Sequence, residues 1–236
     1  MQISDISELT TILLLGGQGT RLRSVVSDRP KVMALVNGRP FLTILLDELV
    51  RSGIKKVVFS TGYKSDYIKE ELGTSYRGLK ITYSEELSPQ GTGGGLRLAT
   101  EMVKSKNYLV MNGDNFIEFN LNSFVHNHLT NLNEASILIK KVDDSQRFGT
   151  VLFDKDMKVK EFKEKDSSVN EGYINCGVYI LTSSVLKYFP KTSPFSLELD
   201  FFPNITRRRF YAFETEGRHL DIGTPKSYEL AQTFFK

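Results

Sequence analysis

An α/β fold is what this sequence predicts: three layers, with a mixed, mostly parallel sheet covered by helices on both faces. Two observations predict it. Short, continuous apolar runs end in glycine, as strands buried on both faces do, and segments of helical period alternate with them. A third observation marks the second half, where strand-like segments follow one another across short turns. That texture adds a small antiparallel extension to the sheet.

The elements come in order. "TILLL" at residues 11–15 is a buried strand that runs into glycines. "PFLTILLDELVRSG" at 40–53 has apolar residues at helical spacing and Gly53 as its stop. "KKVVFSTG" at 55–62 is the next buried strand, and "KSDYIKEELG" at 64–73 is a short amphipathic helix with a glycine stop. "LKITYSE" at 79–85 alternates as a strand, and "TGGGLRLATEMVK" at 92–104 is a glycine-rich entry to a helix. "NYLVMNGD" at 107–114 is a strand ending in Gly113 and Asp114. After about residue 134, "ASILIKKV", "GTVLFD", "KVKEFKEK", "GYINCGVYIL", "RFYAFETEG" and "RHLDIG" read as strands. "TPKSYELAQTFF" closes the chain as a helix with Thr224 as N-cap and Pro225 in its first position. The expectation is one domain over 1–236, with a first half at about 11–133 and a second half at about 134–236.

Composition excludes several classes. The chain has 236 residues, 31 basic and 28 acidic, with the two signs interspersed, so no nucleic-acid footprint is indicated. One cysteine, Cys176, excludes an internal disulfide and fits a reducing cytoplasm. The polar start "MQISDISELT" has no signal-peptide pattern, and no apolar run approaches the roughly 20 residues of a membrane helix.

In parallel sheets, ligands sit at the carboxyl ends of strands. Three such ends carry unusual residues: Gly16–Arg21, Gly113–Asn115 and Asp221–Gly223. Glycine backbone can wrap an anion, and Arg21 adds a planar cation. Neither a Walker loop nor a dinucleotide-binding fingerprint fits the spacing. His126 and His128, two apart in the helix "LNSFVHNHLT", read as surface residues, and His219 reads as structural. Cys176 reads as a small buried hydrophobe; Tyr179 and Phe162 read as core.

"GGQGTRLRSVVSDRPKVM" resembles the signature of sugar-1-phosphate nucleotidyltransferases, a GGxGTRL string followed by a spacer and PK. "NGRPFL", "QGTGGGL", "NGDN", "FKEK", "GYINCGVY", "FSLELDFFP" and "LDIGTP" match the family's landmarks in order. Within it, "SVVSDRPK", "VNGRPFL", "INCGVY" and "DIGTPKSY" are similar to guanylyltransferases acting on D-glycero-D-manno-heptose 1-phosphate. Mannose-1-phosphate guanylyltransferases, enzymes pairing dTTP, CTP or UTP with a hexose 1-phosphate, and a catalytically silent regulatory subunit are the alternatives.

The resemblance implies transfer of a nucleoside monophosphate from an NTP, with GTP preferred, to a sugar 1-phosphate. Arg21 and Lys31 would contact the NTP phosphates, and Asp114 and Asp221 would hold Mg²⁺. Lys165 would grip the sugar phosphate, and Glu164, Gly149, Asn175 and Gly177 would line the sugar pocket. Leu15, Gly16, Gly17, Gly19, Thr20, Gln90, Gly91 and Thr92 would surround the nucleoside. Leu15 and Gln90 depart from the family's usual residues, and both are expected near the base. The attacking phosphate has its second pKa near roughly 6, so no general base and no covalent intermediate is called for. The resemblance further implies a cytoplasmic enzyme of capsule or surface polysaccharide synthesis and leaves a homodimer open. With one helix after "DIGTP", no appended β-helix or acetyltransferase domain is expected.

Overall fold

A computed structural model describes residue 6 and residues 9–146, 148–163 and 171–235. Its strands, in chain order, are β1 (Leu9–Leu14), β2 (Leu35–Val36), β3 (Arg39–Pro40), β4 (Lys56–Thr61), β5 (Ser75–Tyr76), β6 (Leu79–Glu85) and β7 (Asn107–Asn112). They continue as β8 (Asn115–Ile117), β9 (Ala135–Val142), β10 (Thr150–Phe153), β11 (Val159–Lys163), β12 (Gly172–Thr182), β13 (Phe210–Glu214) and β14 (His219–Asp221). The helices used below are α1 (Phe41–Arg51), α2 (Ser65–Leu72), α3 (Gly91–Met102), α4 (Leu121–Thr130), α5 (Phe202–Ile205) and α6 (Pro225–Phe234).

The expected sheet forms. Its parallel core runs β7-β1-β4-β6, with Leu14 of β1 level with Asn112 of β7 and Ser60 of β4. Strand polarity therefore brings the ends of β1, β4, β6 and β7 to one edge. Side chains of β1 alternate between the two layers. Leu13 is buried with Phe41, Leu45 and Leu49 of α1, and Ile12 with Leu96 and Ala99 of α3. Both residues are fully inaccessible to solvent, as the apolar run requires of a doubly covered strand.

β12 joins the halves. Its C-terminal part lies antiparallel to β7 on one side and to β9 on the other, and β13 adds parallel to β9. Its N-terminal part leaves β7 and meets β10, which pairs with β11. Between Asn175 and Tyr179 the register with β9 shifts, and Gly177 there adopts φ 70°, a conformation that glycine reaches without strain.

One expectation is refined and one corrected. The glycine-rich entry "TGGGL" is helical from Gly91 on, so Gly93 to Gly95 lie in the first turns of α3. Close packing is their reason, since a Cβ at Gly93 would lie 2.1 Å from the Phe195 ring. His128 is no surface residue. It follows Leu121, Phe124 and Val125 on the buried face of α4, where its Nδ1 meets Ser136 Oγ at 2.9 Å. Burial lowers its pKa to about 4. His126 is exposed as expected. The segment from Leu197 to Ile205, read only as a motif, forms a π-helical turn that continues into α5.

Candidate active site

The site is built first by the loop after β1. Leu15 continues the strand by donating its N–H to Ser60 O at 2.7 Å, and Gly16 and Gly17 follow. Gly19 turns the chain with φ 59°, and the buried Leu22 pins the loop to the core. Pro30 starts a short 3₁₀ turn in which Val32 and Met33 are buried, so Lys31 is held facing back toward the loop. A Cβ at Gly19 would lie 2.9 Å from Lys31 Cβ, so the bare residue lets the lysine stem lie against the loop.

The acidic side comes from β7 and the ribbon beside it. At Gly113 a Cβ would lie 2.2 Å from Leu15 Cδ2, so glycine is what lets the ends of β7 and β1 close together. β8 then pairs antiparallel with β14, opposing Asn115 to Asp221, and Ile222 N donates to Asp114 O at 3.1 Å. Two aspartates more than a hundred positions apart are thus neighbours. Lys31 Nζ lies 2.6 Å from Asp114 Oδ2 and 3.9 Å from Asp221 Oδ1. Burial, and then the Asp114 charge, raise the Asp221 pKa, against opposing pulls from Lys31, the Gly223 N–H and Arg21. Arg21 is exposed, within electrostatic reach of Asp221. Two carboxylates that repel in a half-buried corner, with only part of their charge answered, suit a divalent cation.

Lys31 and Asp114 of this group line a cleft of about 290 Å³, and Asp221 stands beside them. Leu15, Gly16, Gly17, Lys31, Gly91, Thr92 and Asp114 all line it, which unites most of the nucleotide residues expected from sequence. Gly19, Thr20, Arg21, Gln90 and Asp221 are not among its lining residues. Thr20 is exposed, and Gln90 turns its amide to Ser88, donating to the carbonyl at 3.0 Å and the hydroxyl at 2.8 Å.

Among the cleft residues that sequence reading missed, Glu86 and Asn112 stand out by their chemistry. Glu86 follows β6, and its Oε2 accepts the Gln90 N–H at 2.9 Å. Its Oε1 would lie 2.8 Å from a Cβ at Gly16 and 2.4 Å from one at Gly95, so the carboxyl sits in a cage of bare backbone. Burial raises its pKa. The signal was available, since "SEE" is a fourth strand end on the ligand-binding edge. Asn112 lines the same cleft, and its buried Oδ1 has no hydrogen-bond partner among the described residues. Its Nδ2 would lie 2.8 Å from a Cβ at Gly177.

That contact leads to the expected sugar side. Gly177 lies against Asn112 and Asn115, and its N–H donates to Asn175 Oδ1 at 2.8 Å. Asn175 N donates to Gly149 O at 3.2 Å, so Gly149, Asn175 and Gly177 form one patch. Glu164 and Lys165 lie outside the described residues. His219 packs edge-on against Phe148, with ring centroids 5.6 Å apart, and burial lowers its pKa to about 4. Among the described residues, no helix is long and apolar enough to cross a membrane.

Comparison with known proteins agrees with this geometry. The family described as Nucleotidyl transferase matches residues 10–236. The D-glycero-alpha-D-manno-heptose 1-phosphate guanylyltransferase of Aneurinibacillus thermoaerophilus is 36% identical over 225 residues, covering 95% of this chain and 97% of that protein. The enzyme of the same description from Campylobacter jejuni is 36% identical over 222 residues, covering 93% and 97%. The crystal structure of HddC from Yersinia pseudotuberculosis complexed with GMP-PN superposes with a TM-score of 0.86 at 35% identity, covering 97% of this chain and 100% of that one.

Proposed function

The chain belongs to the nucleotidyl transferase family, and we propose that within it this protein transfers GMP from GTP to D-glycero-α-D-manno-heptose 1-phosphate. One observation carries the reading. Lys31, Asp114 and Asp221 converge beside a glycine-lined cleft that holds Glu86, with the Arg21 charge acting on Asp221. The relatives described above support the sugar.

An oxygen of the sugar phosphate attacks the α-phosphorus of GTP. The new P–O bond forms as the bond to the β-phosphate breaks, and pyrophosphate leaves with the electron pair. No proton has to be removed first, because the attacking phosphate is largely dianionic at neutral pH. The difficulty is charge, and the residues answer it. Arg21 and Lys31 draw the NTP phosphates in and balance the leaving group. Asp114 and Asp221 would hold Mg²⁺, which supplies Lewis-acid charge neutralisation when bound.

Glu86 supports guanine. A carboxylate only accepts, and guanine presents two adjacent donors, the ring N–H and the exocyclic amine. Uracil and thymine flank their single N–H with two carbonyls, which a carboxylate repels. Gly149, Asn175 and Gly177 bind the sugar in this reading, with Lys165 gripping its phosphate and Glu164 accepting from its hydroxyls. The product would serve surface polysaccharide synthesis from the cytoplasm.

Pyrophosphate release across four NTPs and a panel of hexose and heptose 1-phosphates, with Mg²⁺, tests this. GTP with the heptose phosphate should be fastest. A faster rate with dTTP, CTP or UTP, or no release from any pair, would overturn it.

A further inference from the structure

Beneath the cleft, one carboxylate collects hydrogen bonds from both substrate sides. Glu198 lies in the π-helical turn after Ser196. Its Oε2 accepts from Thr92 Oγ1 at 3.0 Å and from Ser196 Oγ at 2.8 Å. Its Oε1 accepts from the Tyr179 hydroxyl at 3.1 Å. Tyr179 in turn accepts from Asn175 Nδ2 at 2.8 Å, and Asn175 Oδ1 takes the Gly177 N–H. The row runs from Thr92, in the nucleotide cleft, to Asn175 and Gly177 on the sugar patch.

Direction is fixed along the whole row. A carboxylate accepts only, so all three hydroxyls must donate to it. Tyr179, fully buried, keeps its proton, since burial and the adjacent Glu198 hold its pKa well above the usual value. Its oxygen then receives a donor, which must be the Asn175 amide nitrogen. The reverse amide orientation would set an NH₂ against the Gly177 N–H. Asn175 therefore has one amide hydrogen left, and it meets a substrate as a donor. Thr92 spends its hydrogen on Glu198 and accepts the Leu197 N–H at 2.9 Å, so its hydroxyl has no hydrogen to offer a nucleotide.

We propose that Glu198 and Tyr179 are positioning residues for this reaction, forming a strut that orients Thr92 and Asn175 together and so couples the nucleotide subsite to the sugar-phosphate subsite. The assignment of those two subsites rests on the function proposed above; the strut itself does not. Replacing one oxygen breaks the row at one end, and the link between the two ends is lost with it. In Glu198→Gln one oxygen becomes an NH₂, which opposes either Tyr179 or the Thr92–Ser196 pair. Tyr179→Phe cuts the row at its centre.

Two measurements test it. In kinetics with whichever pair the wild-type enzyme turns over, Glu198→Gln should raise both KM values by about tenfold, more than it lowers kcat. A change confined to one substrate would overturn the coupling. Without any substrate, the side-chain amide resonances of Asn175 in ¹⁵N NMR should shift in Thr92→Val, a substitution on the far end of the row. They should stay within a linewidth of wild type in Thr92→Ser, which keeps the hydroxyl. Unmoved Asn175 resonances in Thr92→Val and in Glu198→Gln would overturn the strut. Because this arm needs no ligand, an error in the proposed substrates leaves it intact, and its failure leaves the substrate panel unaffected.

Discussion

The two ends of the cleft are made in opposite ways. At the end proposed for the phosphates, Lys31, Asp114 and Asp221 crowd charge into a corner. At the end proposed for the base, backbone is left bare so that Glu86 can lie between Gly16 and Gly95. One end works by what its side chains carry and the other by what its residues lack. The charged end should therefore fail when a group is removed, and the bare end when a single methyl is added.

Removal at the charged end carries the largest expected effect. Asp114→Ala should cut turnover by roughly 10²–10⁴-fold, because organised charge stabilisation is worth several kcal/mol. Asp114→Asn, which keeps the volume, should lose turnover similarly while its far-UV circular dichroism and melting curve remain those of a folded protein. A near wild-type rate in either variant would remove Asp114 from the metal assignment. Addition at the bare end ranks second. Gly95→Ala places a Cβ 2.4 Å from Glu86 Oε1 and 2.7 Å from Ser60 Oγ, so the carboxyl must move. The KM for GTP should rise by about 10–100-fold, as displaced polar contacts lose ~1.5–3 kcal/mol, with the KM for sugar phosphate changed far less. Equal effects on both would mean that Glu86 does not read the base.

The same contrast decides what the sequence could reveal. The two aspartates of the charged end were legible because they stand at strand ends, which are visible as apolar runs that stop at glycine, whereas Lys31, in its 3₁₀ turn, was reached through the family motif alone. "NYLVMNGD" and "RHLDIG" therefore pointed to Asp114 and Asp221 before any coordinates. The bare end was half legible. Its glycines were obvious, but their reason was hidden. A glycine reads as a turn, whereas Gly93 and Gly95 sit inside α3 and make room for Phe195 and Glu86, contacts that only the folded chain supplies. Nothing local announces, either, that the Gln90 amide turns to Ser88. Glu198 was invisible because its partners lie on α3 and β12, remote in sequence. His128 was readable and misread, since it follows Leu121, Phe124 and Val125 at helical spacing on the buried face.

The smallest expected effect asks whether the charged end is strained without its cation. Asp221 has a raised pKa, chiefly from burial and next from Asp114. A carboxyl whose folded pKa lies above its unfolded value favours the folded state in acid, and that contribution is lost as pH rises through the folded value. At neutral pH the ionised Asp221 thus sits less favourably in the folded protein than in the unfolded chain. Asp221→Asn should raise the melting temperature of the metal-free protein at pH 7 by about 1–3 °C, and the gain should vanish below about pH 4, where the unfolded carboxyl is protonated too. Adding Mg²⁺ should reverse the order, stabilising wild type by mass action and the variant much less. A metal-free variant less stable than wild type at pH 7 would mean that Lys31 and Arg21 already balance the corner, and the two ends would then differ in composition without differing in strain.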